Sequence, residues 1–387
     1  MGDESIIKIL HDKLKTPEIF KEFKIENSSV YIAVTDTTSG PSLGGVRWNS
    51  YFSEEEAKSD CLNLSLGMHY KWIALRQLIG DKKLFTGGKA VINDPLIFKT
   101  IKKDINKNQI IDARRLNILF EKFGELVNSI NGKYYTAPDM NTDVDIMSII
   151  KRKTDFVRCL PGETGDPSPT TAKGVFIGIK ELSKQVLNKE LDDLTILIQG
   201  AGKVGSNLIN FIRQESEKTK IYITESDKER AKSVATKFNC ILVEEKEIPF
   251  KKINIFSPNA KGGTVNKELL KKLNRNTLIA GGANNQIQTN EEEIIFKLLK
   301  EKNITYTPDY YINMGGICNV VFGKEKHRQN PAMKLIEGVG KLLIKIVQES
   351  KIKEVPTAII ANNICDEYHL KELKNKRPEV YEKLLEN

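Results

Sequence analysis

Along this chain, short apolar and β-branched runs alternate with stretches whose apolar positions recur every three or four residues, the order expected of alternating strands and helices. Residues 30–35 form one strand run, which exits through the polar turn Asp36-Thr37-Thr38-Ser39-Gly40-Pro41. Ser53 with Glu56 makes a capping box, after which Ala57, Cys61, Leu64 and Met68 fall on one helical stripe and Lys71 continues it. A lysine there either snorkels out of a core or points into a cleft. Residues 86–92 predict a second strand, opened by Gly87-Gly88-Lys89. Residues 116–130 are helical in period, and Tyr134-Tyr135-Thr136-Ala137-Pro138-Asp139 is a strand ending in an acid.

Pro161, Gly162, Gly165, Pro167 and Pro169 then cluster as a hinge-like connection. Beyond them, residues 171–186 and 333–349 predict helices, and β runs recur at 253–256, 277–280 and 304–307. The apolar run Leu194-Thr195-Ile196-Leu197-Ile198-Gln199 empties into Gly200-Ala201-Gly202-Lys203-Val204-Gly205 and a helical pattern. A further β run, Lys220-Ile221-Tyr222-Ile223-Thr224, then ends at Glu225. That order of strand, glycine turn, helix, strand and acid is a dinucleotide-binding unit. Gly200 permits the turn, Gly202 admits a pyrophosphate, Gly205 lets helix pack on strand, and Glu225 takes the adenosine ribose hydroxyls.

The fold class that follows is α/β, with an N-terminal α/β substrate domain, a Rossmann-type doubly wound domain and a cleft between them. The expected boundaries are 1–165, joined by a C-terminal segment from about 350 to 387, and 166–349. A length of 387 residues suits two domains. No apolar run approaches the roughly 20 residues that span a bilayer, and Met1-Gly2-Asp3-Glu4-Ser5 lacks the start of a secretory leader, so a cytoplasmic protein without a membrane partner is expected. The five cysteines form no Cys-x-x-Cys pair, which argues against disulfides and a structural metal. Net charge is +9, but the lysines alternate with Glu, Asp or Asn, so a solvated surface fits better than nucleic-acid binding.

Lys71, Lys89 and Asp139 are the candidate reacting groups, each at the end of a regular element. Two ammonium groups held close and partly desolvated depress one another's pKa, so one can be neutral at about pH 8 and act as a base while the other binds a carboxylate. A nearby aspartate can shuttle protons to nitrogen. With hydride chemistry from a cofactor, this is equipment for interconverting an amino acid and its keto acid. None of His11, His69, His327 and His369 shows an evident acidic partner, which disfavours a 2-hydroxy-acid dehydrogenase.

At these residues the chain resembles the amino-acid dehydrogenase family of glutamate, leucine, valine and phenylalanine dehydrogenases, with the leucine branch nearest. The resemblance runs over residues 29–368. Its motifs include Gly44-Gly45-Val46-Arg47, Gly67-Met68-His69-Tyr70-Lys71, Gly87-Gly88-Lys89, Thr136-Ala137-Pro138-Asp139, Pro167-Ser168-Pro169-Thr170-Thr171-Ala172, the glycine turn, Ser257-Pro258-Asn259-Ala260-Lys261-Gly262-Gly263, Gly281-Gly282-Ala283-Asn284-Asn285-Gln286 and Tyr306-Thr307-Pro308-Asp309.

The resemblance implies that Lys71 binds the substrate carboxylate, Lys89 activates water and Asp139 is the acid/base at the substrate nitrogen. It places Asn285 on the substrate, Thr171 and Asn284 at or near the nicotinamide, Ala260 at the cofactor, and Gly44 with Gly45 on the pocket floor. Glutamate-specific members carry a lysine directly before the glycine pair, where this chain has Leu43. They also place a hydroxyl where this chain has Val320. Leu43, Met68, Ala137, Ile317 and Val320 would therefore form an apolar wall, and NAD-dependent, reversible deamination of an apolar L-amino acid to its 2-keto acid and ammonia is expected, by a homo-oligomer.

The alternative is a catalytically impaired nucleotide-binding homologue with a regulatory or assembly role. Two insertions distinguish the chain from the family pattern. One lies between Lys71 and Lys89 and includes Arg76, Asp81, Lys82 and Lys83; the other follows Asp94-Pro95. For the site to assemble, the extra residues must loop out.

Overall fold

The computed structural model describes residues 3–80, 85–97, 101–103, 109–111, 113–250, 252–322 and 331–385. The chain divides into two compact α/β units, one holding residues 1–166 and 365–387 and the other the described residues between 167 and 364. The division falls inside one helix, Thr357–Lys376. Among the described residues, no helix is long and apolar enough to cross a membrane. All five cysteines are free thiols.

The first unit is built on a five-stranded mixed sheet of β1 (Ile19–Ile25), β2 (Ser28–Val34), β3 (Ser42–Asn49), β4 (Thr86–Asn93) and a strand at Tyr134–Pro138, in the order β1-β2-β4-β3-Tyr134–Pro138. Strands β2, β3 and β4 are buried almost throughout, so both faces of the sheet are covered. Alternation then sorts the side chains. Val30, Ile32, Val34, Val46, Trp48, Ala90 and Ile92 pack with Phe120, Phe123 and Val127 of the helix Ala113–Ser129. Tyr31, Ala33 and Val91 face the other way, against Ala57, Cys61 and Leu64 of the helix Glu54–Ile79. The Ser53 cap accepts from the Glu56 amide, as the capping box requires.

Two elements differ from the sequence pattern. β1 carries Lys21, Glu22 and Lys24 in a half-exposed edge position, and this charged alternation hides it from a search for apolar runs. β3 was legible only as a glycine pair, because Gly44 and Gly45 interrupt its apolar pattern. A Cβ on Gly44 would stand 1.7 Å from the Gly88 carbonyl oxygen, so only glycine lets β3 and β4 come this close.

The helix Glu54–Ile79 continues beyond Lys71, carrying Arg76 of the first insertion, to a cap at Gly80; Asp81, Lys82 and Lys83 lie outside the described residues. After Pro95, β5 (Ile101–Lys103) and β6 (Gln109–Ile111) form a two-stranded sheet of their own. The strand Tyr134–Pro138 is therefore β7.

The second unit has a six-stranded sheet, wholly parallel, of β8 (Thr195–Gln199), β9 (Lys220–Thr224), β10 (Ile241–Leu242), β11 (Ile255–Pro258), β12 (Leu278–Ile279) and β13 (Thr305–Tyr306). Its order, β10-β9-β8-β11-β12-β13, reverses direction beside β8, the topology of a doubly wound nucleotide fold. The helix expected at 333–349 is broken into Pro331–Leu335, a 3₁₀ turn at Ile336–Gly338 and Val339–Lys353. Gly338 and Gly340 weaken the helix there. Gly340 packs so closely that a Cβ would meet the Glu181 Cγ at 2.6 Å.

Gly44→Ala is expected to lower unfolding stability by about 3 kcal/mol, because the clash is with backbone that cannot swing aside. Urea unfolding followed by circular dichroism checks this; an unchanged midpoint would mean that β3 and β4 separate freely.

Candidate active site

Register brings the reacting groups of the first unit onto one face. Ala33 of β2 pairs with Lys89 of β4, and Arg47 of β3 pairs with Val91, so Lys89 and Arg47 share the side that faces the helix Glu54–Ile79. On the far side of β3, Gly45 pairs with Ala137 of β7, and Asp139 follows two positions later.

The Lys89 Nζ lies 2.9 Å from the Asp139 Oδ2, and the Arg47 Nε donates to the same oxygen at 3.0 Å. The lysine is 2% exposed. Since β3 lies between β4 and β7, the Lys89–Asp139 pair must cross it, and it does so at Gly45. A Cβ on Gly45 would stand 2.8 Å from the Asp139 Cβ and 2.6 Å from the Pro138 carbonyl oxygen. The glycine pair thus has two distinct steric duties, closing β3 on β4 and clearing the path of the ion pair.

Burial pushes the Lys89 ammonium below its ordinary pKa; Asp139 opposes that shift and the Arg47 charge adds to it. Burial would raise the Asp139 carboxyl, but Lys89 and Arg47 outweigh it and hold the group well below the usual carboxylate range. The pair is therefore a firmly ionised carboxylate beside an ammonium that burial and a second cation prompt to lose its proton. Lys71, on the same helix face as Leu64 and Met68, is 7% exposed, and Leu43, Met68 and Ala137 are buried apolar residues of this unit.

Arg47, Asp60 and Tyr51 were not identified from sequence as site residues. Arg47 also donates from Nη1 to the Asp60 Oδ2 at 2.9 Å, and the Tyr51 hydroxyl donates to that oxygen at 2.6 Å. The available signal was alternation, because Arg47 stands two residues past Gly45 on the same strand.

In the second unit, Gly200 has φ of 91°, a conformation that favours glycine, and a Cβ on Gly205 would meet the Gly200 carbonyl oxygen at 2.0 Å. At Gly202, by contrast, no atom lies within 4 Å of a Cβ position. Gly202 is also the N-cap of the helix Lys203–Glu215 and, having no side chain, makes no capping bond itself. An open glycine at a helix N-terminus, bordered by Ala201, Lys203 and Val204, fits a pyrophosphate.

Glu225 follows β9. Its Oε2 accepts from the Ala201 amide at 3.0 Å, and its Oε1 from the Asp227 amide and the Arg230 guanidinium, each at 3.0 Å. Burial works to raise this carboxyl, yet Arg230 and the two amides bring it down to about 2. Thr171 donates to the Pro167 carbonyl, and a Cβ on Gly316 would be 2.9 Å from its hydroxyl oxygen. Asn284 accepts from the Asn313 amide group at 3.0 Å, Asn285 has φ of 49° with its backbone amide donating to Asp309, and Ala260 is exposed. Ile317 is buried and Val320 half-buried on the helix Gly315–Phe322.

No protein-family model matches the chain. It is 34% identical over 363 residues to leucine dehydrogenase of Bacillus cereus, an alignment covering 93% of this chain and 92% of that one. To L-tryptophan dehydrogenase of Nostoc punctiforme it is 32% identical over 368 residues, covering 95% and 93%. The crystal structure of L-tryptophan dehydrogenase from Nostoc punctiforme superposes with a TM-score of 0.69 at 29% identity, covering 95% of this chain and 99% of that one.

The histidines correct one expectation. His11 Nδ1 lies 3.1 Å from the Asp366 Oδ2, and the His369 ring nitrogens lie 3.8 Å from Asp36 and 3.7 Å from Glu372. The carboxylates Asp36 and Asp366 come from distant parts of the chain, and only folding supplies them. His69, beside the His369 ring at 4.7 Å, is 1% exposed, and neither of its ring nitrogens finds a partner among the described residues. Burial, reinforced by His369 and Arg76 against the pull of Asp36 and Glu372, lowers its pKa to about 3.

As pH falls below about 6.5, the unfolded chain therefore takes up a proton that the folded protein refuses, and stability is lost down to the folded pKa. His69→Leu is expected to lose about 2 kcal/mol less than the parent between pH 7.5 and 5, as read by urea unfolding. Equal losses would mean that His69 is protonated in the fold.

Proposed function

The chain belongs to the amino-acid dehydrogenase family, and from that premise we propose that it is an NAD-dependent L-amino-acid dehydrogenase that deaminates an apolar substrate reversibly. The observation that carries this reading is the buried Lys89–Asp139 contact of 2.9 Å on the face that also receives the Lys71 helix.

A bound nicotinamide cofactor would supply the acceptor for the hydride from the substrate α-carbon. The remaining work falls to side chains. Lys71 binds the substrate carboxylate. Neutral Lys89 takes a proton from the water that attacks the α-carbon, and Asp139, whose Oδ1 receives neither cation, passes protons to and from the substrate nitrogen, which leaves as ammonia.

Leu43, Met68 and Ala137, buried apolar residues of the first unit, support an apolar side-chain pocket, in which an unpaired carboxylate costs several kcal/mol. The open Gly202 turn and Glu225 support cofactor binding through pyrophosphate and ribose, with Thr171, Ala260, Asn284 and Asn285 completing the cofactor and substrate contacts. The reading includes a homo-oligomer in the cytoplasm.

Steady-state rates with leucine, isoleucine, valine, phenylalanine, tryptophan and glutamate are expected to give an apolar optimum at least about 100-fold above glutamate in kcat/KM. Lys89→Ala should lower kcat by at least about 100-fold with cofactor affinity unchanged. Glutamate as the best substrate would overturn the selectivity, and cofactor binding with no turnover on any amino acid would favour the impaired homologue.

Glu225 also repels a 2′-phosphate. NAD should therefore exceed NADP in kcat/KM by about tenfold or more, and parity would show that Arg230 leaves Glu225 to bind the phosphate.

A further inference from the structure

Arg47 keeps its charge at every pH at which the protein would work, since a guanidinium stays protonated and the carboxylates around it raise its pKa further. It sits at the centre of a chain of contacts. Its Nε holds the Asp139 Oδ2 at 3.0 Å, its Nη1 holds the Asp60 Oδ2 at 2.9 Å, and the Tyr51 hydroxyl donates to Asp60 at 2.6 Å.

The arrangement is built from three elements. Arg47 comes from β3, Asp60 from the helix Glu54–Ile79 and Asp139 from the end of β7. The guanidinium is only 14% exposed, so its two carboxylate contacts are made in a setting where water screens little.

Resting on the amino-acid dehydrogenase reading above, we propose that Arg47, braced by Asp60 and Tyr51, is a positioning residue that fixes Asp139 opposite Lys89 and, by its permanent charge, makes Lys89 the group of the three that releases its proton. Two cations share one carboxylate oxygen. Whichever of them can lose a proton most cheaply does so, and an ammonium does so before a guanidinium. When Lys89 gives its proton to solvent, Asp139 keeps a full counter-charge in Arg47 and is not stranded as a buried unpaired anion, an outcome that would cost several kcal/mol.

Other groups face Lys89 as well. From the helix come Asp60 and the buried Cys61 thiol, and Tyr51 stands beside Arg47 and Asp60. Burial pushes Cys61 and Tyr51 up, so both are neutral near neutral pH. The charges that act on Lys89 include Asp139, Arg47 and Asp60, and Lys71 stands on the helix that carries Asp60.

This gives opposite signs for two substitutions. Arg47→Gln removes a like charge from beside Lys89, so the lysine holds its proton to higher pH. Asp60→Asn removes an opposite charge, so the lysine loses its proton at lower pH. Since activity requires neutral Lys89, the acidic limb of the kcat/KM profile should move up by about one pH unit in Arg47→Gln and down by a smaller amount in Asp60→Asn. Arg47→Lys keeps the charge without the two-carboxylate fork, and should keep the limb near its wild-type position while lowering kcat.

A role in folding alone would lower rates at all pH values and leave the limb in place. The same shifts are to be measured without turnover, as the pH dependence of Lys89 acetylation by acetic anhydride, with peptide mass spectrometry as the readout. If the wild-type protein oxidises no amino acid, the functional reading fails, but the acetylation series still reports the Lys89 proton. Should Arg47→Gln not fold, Arg47→Lys and Asp60→Asn carry the test. Limbs or acetylation midpoints that stay put, or that move in the same direction in Arg47→Gln and Asp60→Asn, would overturn the proposal.

Discussion

Asp139 is gripped at one oxygen by Lys89 and Arg47, and much of the first unit is arranged so that this can happen. The three groups come from three neighbouring strands, and the lysine must reach across β3 to the aspartate. Crossing a strand requires a position without a side chain, which Gly45 supplies. It also requires the strands to lie unusually close, which Gly44 permits against Gly88. Burial of both faces of the sheet then removes the solvent that would otherwise dilute these interactions.

The electrostatic consequence is asymmetric. A carboxylate with two cations stays charged, whereas a buried ammonium with a guanidinium neighbour gives up its proton more readily than in water. The same geometry therefore separates the two titrations, and groups driven apart in this way are able to divide acid and base duties. In the proposed reaction Asp139 meets a substrate nitrogen through the oxygen that neither Lys89 nor Arg47 holds, and Lys89 accepts a proton.

The second unit obeys a simpler constraint. Gly200 and Gly205 are glycines because other backbone occupies the place of their side chains, and Gly202 because nothing does. That contrast is what a phosphate-binding turn needs, with packed support below and open amides above. Glu225 is already tied to the turn through the Ala201 amide, so the acid of the second strand and the glycine loop form one rigid element.

The dinucleotide turn was legible in the chain because every part of it is local. Strand, glycines, helix and acid follow one another within residues 194–225, and each acts through backbone geometry near its own position. Lys71, Lys89 and Asp139 were singled out as element ends, but only Asp139 directly follows its strand; Lys71 stands inside the helix Glu54–Ile79 and Lys89 inside β4, and what the sequence revealed was the period of those elements. The charged edge strand β1 was not legible, nor was the break in the helix near Gly338.

Arg47 shows why some of the site stayed hidden. Its position two residues past Gly45 puts it on the Lys89 face only once β3 is registered against β4, and Asp60 becomes its partner only once the helix packs there. The carboxylates that meet His11 and His369 depend in the same way on a C-terminal helix more than 280 positions from Tyr70. Local sequence determines backbone conformation and which residues are available. Strand register and long-range packing decide which charges meet, because ion pairs and desolvation act through space and not along the chain.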